Sequence, residues 1–204
     1  MTTAICFSIE ALLVREATTA GCLRTAFEAE CGRFEPAWAA RYEQRLAAHR
    51  EAFDDGPRER SLADVCEEYG IDVDPAALAD RLATVTRAAT DVRDGAGDCL
   101  DRLGADNRLG VIAAGTRERT VGDLGAAEIR GLFDAVVTTY EAGAARAEAA
   151  VYELARERLD ADEYAMVGPD YERDVEAART AGFVPIHYEP DASPSLWETL
   201  DALV

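Results

Sequence analysis

The chain has 204 residues, of which 40 are acidic and 21 are arginine or lysine, for a net charge of −19. Lysine does not occur at all, so arginine supplies the whole of the strongly basic set. Nucleic acids and anionic lipid surfaces need a basic footprint, and this balance excludes both as expected partners.

The length suits one domain, or a domain with an insert, that buries about 70% of its unfolded surface. No apolar run approaches the roughly 18 residues of a membrane span. The opening Met-Thr-Thr-Ala-Ile-Cys lacks the basic flank and long apolar stretch of a signal peptide. Cys6, Cys22, Cys31, Cys66 and Cys99 are odd in number and form no Cys-x-x-Cys pair. Unpaired, mostly buried thiols in a reducing cytoplasm are the expectation. The acidic excess adds self-repulsion that salt relieves, since the Debye length falls to about 3 Å at 1 M, and it predicts a salt-adapted cytoplasm.

In chain order, the first apolar burst covers residues 4–7 and runs into Ser8, Ile9 and Glu10. Residues 15–90 show no convincing strand. They carry Ala-rich amphipathic stretches at 18–29, 35–53, 61–69 and 75–89, broken at Gly32, at Asp55-Gly56-Pro57 and at Gly70. Asp74-Pro75 is a helix start, with the aspartate as cap and proline in the first turn. Ser61 with Asp64 resembles a short capping box. Trp38, Tyr42 and Leu46 recur at spacings of four and predict one helix face, available for a contact with the rest of the chain or with a second copy. Further apolar bursts follow at 109–114, 135–139, 164–168 and 184–188. Short continuous runs of this kind are strands covered on both faces, and the helical stretches between the later ones make a parallel sheet of βαβ units. Right-handed crossovers then gather the strand C-termini along one edge, where such sheets bind ligands.

Four strand-to-turn segments carry a family resemblance. Residues 4–13 read Ala-Ile-Cys-Phe-Ser-Ile-Glu-Ala-Leu-Leu, and residues 109–116 read Leu-Gly-Val-Ile-Ala-Ala-Gly-Thr. Phe133-Asp134-Ala135-Val136-Val137-Thr138-Thr139 is followed by Gly143 through Tyr152, and the last segment runs from Met166-Val167-Gly168-Pro169-Asp170 to Ala178. In order and spacing they resemble the motifs of the haloacid dehalogenase-like hydrolase superfamily. The resemblance implies an α/β fold: a three-layer Rossmann-like parallel sheet core from residues 1–14 and 91–204, with residues 15–90 inserted as an all-helical cap.

The same resemblance marks what is missing. The family's nucleophilic aspartate and its acid/base aspartate fall on Ser8 and Glu10, and the Ser/Thr-Asn of its second motif on Ala113 and Ala114. Gly115 and Thr116 persist as phosphate- or anion-binding candidates, with Thr116 also placed to cap the next helix. Arg146 stands at the family's basic position, where a guanidinium grips phosphate or carboxylate bidentately. Pro169 replaces one metal acid; Asp170 and Asp174 remain as metal candidates. Mg²⁺ demands hard oxygens in near-octahedral geometry, so two acids without a charged partner at position 8 make a poor site. A serine attacks only with an adjacent base, and of the two histidines, His49 and His187, only His187 lies at a strand end. Loss of a nucleophile costs on the order of 10⁶ in rate. The expectation is therefore a catalytically silent member that needs no cofactor and binds a small anion or a protein. The alternative is an active hydrolase with non-standard residues, using Mg²⁺ if it is a phosphatase.

Overall fold

The computed structural model describes residues 1–144, 148–189 and 195–203. The chain divides into two compact units, one of Met1–Val14 with Val92–Val204 and one of Arg15–Asp91.

In the first unit, β1 (Thr3–Ser8) leads into a one-turn helix, α1 (Ile9–Leu12), and the short β2 (Leu13–Arg15). The helical unit holds α2 (Thr19–Cys31), α3 (Pro36–Glu51), α4 (Pro57–Tyr69) and α5 (Pro75–Ala88). The chain returns through β3 (Thr90–Val92), α6 (Ala96–Asp106), β4 (Arg108–Ala113) and α7 (Arg117–Ala126). It continues with β5 (Ala135–Thr138), α8 (Thr139–Ala142), α9 (Ala149–Leu159) and β6 (Glu163–Gly168). A π-helical turn (Tyr171–Glu176), α10 (Ala177–Thr180), β7 (Val184–His187) and α11 (Leu196–Leu203) complete it. All five apolar bursts are therefore strands to within one residue at each end. The pair β2 and β3, which forms its own small sheet, was not expected. Three residues are too few to carry a period-2 signal.

The main sheet has the order β5-β4-β1-β6-β7, with every pairing parallel. Alternation along β1 builds three layers. Ile5 and Phe7 join the core that α6, α7 and α11 supply through Leu100, Leu124 and Trp197. Ala4 and Cys6 face the opposite core, made by Tyr152 and Ala155 of α9 and Ala178 of α10. Gly110 lets α9 come close, because a Cβ there would lie 2.8 Å from Leu159 Cδ1. Complete burial pushes the Cys6 thiol up to about 12, so it is chemically inert. The five cysteines are unpaired, four of them buried and Cys31 half-buried. At the β5 edge the Val136 carbonyl accepts hydrogen bonds from Arg117 Nη1 (2.6 Å) and Arg158 Nη1 (2.7 Å), which blocks pairing with another strand. No helix among the described residues is long and apolar enough to cross a membrane.

The helical unit packs around its own core. Trp38, Tyr42 and Leu46 are buried in it, with the Trp38 ring 5.0 Å from Phe27 and 6.2 Å from Phe34. That corrects the expectation that this face serves a contact elsewhere: four helices bury it among themselves. The ends are set locally. Thr18 accepts from Gly21 N and Asp74 from Ala76 N, while Gly32 and Gly70 terminate α2 and α4 at φ +73° and +61°. The start of α4 is a second correction. Gly56 and Pro57 begin the helix, and the Ser61 hydroxyl donates back to the Pro57 carbonyl instead of capping.

His49, near the end of α3, sits between two carboxylates, with Nδ1 2.6 Å from Asp54 Oδ2 and Nε2 3.0 Å from Asp64 Oδ2. The hydrogen bond to Asp54 raises its pKa above the ordinary histidine value, against the opposing effect of burial. A raised folded value means the extra stability is complete below about pH 6.5 and is lost as pH climbs through the folded pKa. Thermal melts of wild type and His49→Gln should differ most near pH 6 (roughly) and converge at alkaline pH. Parallel curves would show that His49 carries no titrating stability.

Candidate functional site

Parallel strands place Ser8, Ala113, Thr138, Gly168 and His187 at the C-terminal ends of β1, β4, β5, β6 and β7 along one sheet edge. Register sets Ser8 beside Ile112, Phe7 beside Val167 and Gly168 beside His187.

Ser8 is fully buried, and its Oγ accepts the Ala11 N–H at 3.3 Å as the N-cap of α1. The hydroxyl is thus used by the helix it starts. His187 does not reach it. β6 lies between their strands, and His187 Nε2 hydrogen-bonds the Pro169 carbonyl at 2.9 Å with Tyr171 edge-on to the ring. No Ser-His pair forms.

Glu10 is exposed, while its backbone carbonyl accepts the Tyr188 hydroxyl at 2.9 Å and Arg93 Nη2 at 3.2 Å. Arg93 Nε also reaches the Ala11 carbonyl at 3.3 Å, and the guanidinium lies 5.5 Å from the centre of the Tyr188 ring. Burial pushes the Tyr188 hydroxyl up, so it stays protonated and donates. Sequence reasoning missed both residues, since their acceptors are main-chain oxygens that carry no residue identity.

Asp170 and Asp174 are brought together after β6. Asp174 is buried, and its Oδ2 accepts the Asp170 N–H at 3.1 Å. A Cβ at Gly168 would overlap the Asp174 carboxyl, so glycine is required for that approach. Asp170 uses both oxygens on Arg173: Oδ1 accepts the backbone N–H at 2.9 Å, and Oδ2 accepts Nη2 at 2.6 Å. That hydrogen bond first, then the charges of Asp170, Glu10 and Asp174, hold the Arg173 guanidinium above its ordinary pKa despite the cost of burial.

Mg²⁺ is the ion that the family resemblance implies for these oxygens. Those of Asp170 and one of Asp174 already accept N–H groups, the Glu10 carbonyl accepts two donors, and Ser8 brings no charge. Among the described residues no three His, Cys, Asp or Glu side chains are grouped to hold a metal ion. The donor set does not fit a near-octahedral divalent cation.

At the end of β4, Gly115 adopts φ +113° and its N–H donates to Thr139 Oγ1 at 2.9 Å. Thr116 occupies the N-cap position of α7 but makes no side-chain cap bond. Arg146 lies outside the described residues. A neighbouring cluster carries Glu141, with Arg158 at 2.8 Å, Arg117 at 3.3 Å and the Thr138 hydroxyl at 3.0 Å. Burial raises the Glu141 pKa, and hydrogen bonds from Arg158 and Thr138, with both arginine charges, outweigh it; the net value is below the ordinary one. This carboxylate is structural and stays ionised.

The helical unit has a cavity of about 100 Å³ with Arg15, Arg50 and Arg58 in its wall and Cys22, Tyr42, Leu46 and Leu82 as an apolar floor. No acidic residue lines it. The wall thus sets guanidinium groups, the side chains that pair with carboxylate or phosphate, over an apolar floor.

The comparisons with known proteins agree with this fold. No curated protein matches the chain. The magnesium-bound structure of YfnB from Bacillus subtilis superposes with TM-score 0.72 at 18% identity, covering 99% of this chain and 98% of that one. The L-2-haloacid dehalogenase of Xanthobacter autotrophicus, with chloropropionic acid covalently bound, gives 0.69 at 19% identity over 99% and 83%. A 2-haloacid dehalogenase from Pseudomonas syringae gives 0.69 at 22% identity over 100% and 98%. At these identities the likeness establishes the fold alone. A family model for haloacid dehalogenase-like hydrolases matches residues 11–182. With that match spanning most of its length, the chain belongs to the haloacid dehalogenase-like hydrolases.

Proposed function

We propose that this protein is a catalytically silent member of its family that binds a small anion or a protein partner in a salt-adapted cytoplasm. The observation that carries this reading is Ser8, a buried residue at the family's nucleophile position whose hydroxyl caps α1, while His187 is engaged by the Pro169 carbonyl. A neutral, capped hydroxyl is a poor nucleophile. Glu10 alone offers general acid catalysis worth about 10²–10⁴, which does not replace a missing nucleophile. The arginine-walled cavity of the helical unit supports the anion-binding role.

Hydrolysis of an aryl phosphate and of a 2-haloacid, each with and without Mg²⁺, tests the reading. Wild type and Ser8→Ala are both expected at buffer background. Turnover in wild type that Ser8→Ala removes would return the protein to the working hydrolases.

Salt adaptation has its own test. Between about 0.1 and 2 M KCl the melting temperature should rise, on the order of 10 °C or about 3 kcal/mol for a chain of this size. A fall over that range would contradict it.

A further inference from the structure

The cavity of the helical unit runs from solvent toward the core of its four helices. Arg15 and Arg50 in its wall are exposed and Arg58 is half-buried, while Cys22, Tyr42, Leu46 and Leu82 beneath them are buried. The three guanidinium groups come from three elements: Arg15 ends β2, Arg50 lies in the last turn of α3 and Arg58 in the first turn of α4. Elsewhere in this unit arginines meet acids, as Arg41 meets Glu68, Arg45 meets Asp64 and Arg81 meets Glu30. Arg15 and Arg50 have no ion pair among the described residues, although the chain has 40 acidic residues against 21 basic ones. Like charges brought together from separate elements repel, and a bound anion relieves that repulsion.

We propose that this cavity binds a short-chain monocarboxylate, with its carboxylate on Arg15 and Arg50 and its alkyl end on Leu46 and Leu82. Size sets the first limit. An apolar cavity of about 150 Å³ takes benzene, with its six heavy atoms, so the volume of about 100 Å³ here admits about four or five. Chemistry sets the second. The planar guanidinium fork matches a carboxylate or a phosphate. Phosphate, however, would press an oxygen against the buried leucine carbons, where it loses water and gains no partner. An alkyl end in the same place leaves water favourably. The inference rests on the anion-binding part of the functional reading and narrows it to one cavity and one ligand class. The carboxylate is a ligand there and not a substrate, and it ties β2 to α3.

The experiment is titration of the isotope-labelled full chain with potassium propionate at about 0.5 M KCl, followed by amide chemical shifts. Propionamide serves as the neutral isostere, and inorganic phosphate as the anion without an alkyl end. Propionate is expected to bind with a Kd of about 1 mM or tighter and to shift the amides of Thr19, Arg50 and Thr86 in the cavity wall. Propionamide and phosphate should each bind at least about 10-fold more weakly. Arg15→Gln and Arg50→Gln should each weaken propionate about 10-fold. Neither should lower the melting temperature without ligand, because both side chains are exposed and each substitution removes a like charge. Absence of propionate binding up to about 50 mM overturns the proposal. So does propionate affinity that the Arg15→Gln/Arg50→Gln variant keeps unchanged, and so does phosphate binding as tight as propionate. Turnover is read through Ser8 and propionate binding through Arg15 and Arg50. A silent protein with an empty cavity, or a working hydrolase with a filled one, therefore tells the two failures apart.

Discussion

Gly168→Ala should destabilise the protein by about 3 kcal/mol and lower its melting temperature by roughly 6–12 °C. The backbone at Gly168 is not left-handed, so the penalty is not one of φ and ψ. It comes from the Asp174 side chain, three atoms of which occupy the space an alanine Cβ would take. To make room, Asp174 must rotate away from the Asp170 N–H that it accepts, while remaining buried. A displaced buried carboxylate is among the few changes that cost several kcal/mol in one substitution. A double-mutant cycle separates this contact from general damage: in an Asp174→Gly background the cost of Gly168→Ala should fall below about 1 kcal/mol. Gly97→Ala is the control, since an added Cβ there meets nothing within 4 Å, and in the first turn of α6 it should be neutral or mildly stabilising. Equal costs for Gly168→Ala in both backgrounds would mean that Asp174 is not what demands glycine.

The sheet was readable because its inner strands are buried on both faces, so their apolar residues run together and stand out from the Ala-rich helices. β1 and β6 show this, with five consecutive buried residues each. The helical unit was readable through its punctuation: Asp74-Pro75, Gly32 and Gly70 each end or begin a helix where the residue type predicts it. The misplaced start of α4 arose because Ser61 and Asp64 imitate a cap, while the helix begins at Gly56, five residues earlier, with Pro57 as its first residue and no side-chain cap bond. The stripe of Trp38, Tyr42 and Leu46 was correctly seen as one face, but periodicity does not name the partner of a face, and here it is the bundle's own core.

At the site, sequence placed Ser8 and Gly168 at strand ends and put Asp170 and Asp174 just beyond one. It did not reveal what holds them. Tyr188 reaches the Glu10 carbonyl across 178 positions and Arg93 across 83, and neither distance leaves a trace in local pattern. Arg173 was within reach of inspection, three residues from Asp170, yet an i, i+3 pair of opposite charge ordinarily signifies only a solvated helix face.

Turnover at the strand-end edge separates a silent protein from a working hydrolase. The decisive measurement is aryl phosphate hydrolysis with Mg²⁺ at about 2 M KCl, where the acidic surface is screened. Wild type is compared with Ser8→Ala and with a Ser8→Asp/Pro169→Asp variant. Returning the nucleophile and a metal acid restores covalent and metal-ion catalysis together. Wild type at buffer background, with turnover at least about 10²-fold higher in the restored variant, is the predicted result. Turnover in wild type that Ser8→Ala abolishes would contradict the account, and would make Ser8 the nucleophile of a reorganised hydrolase.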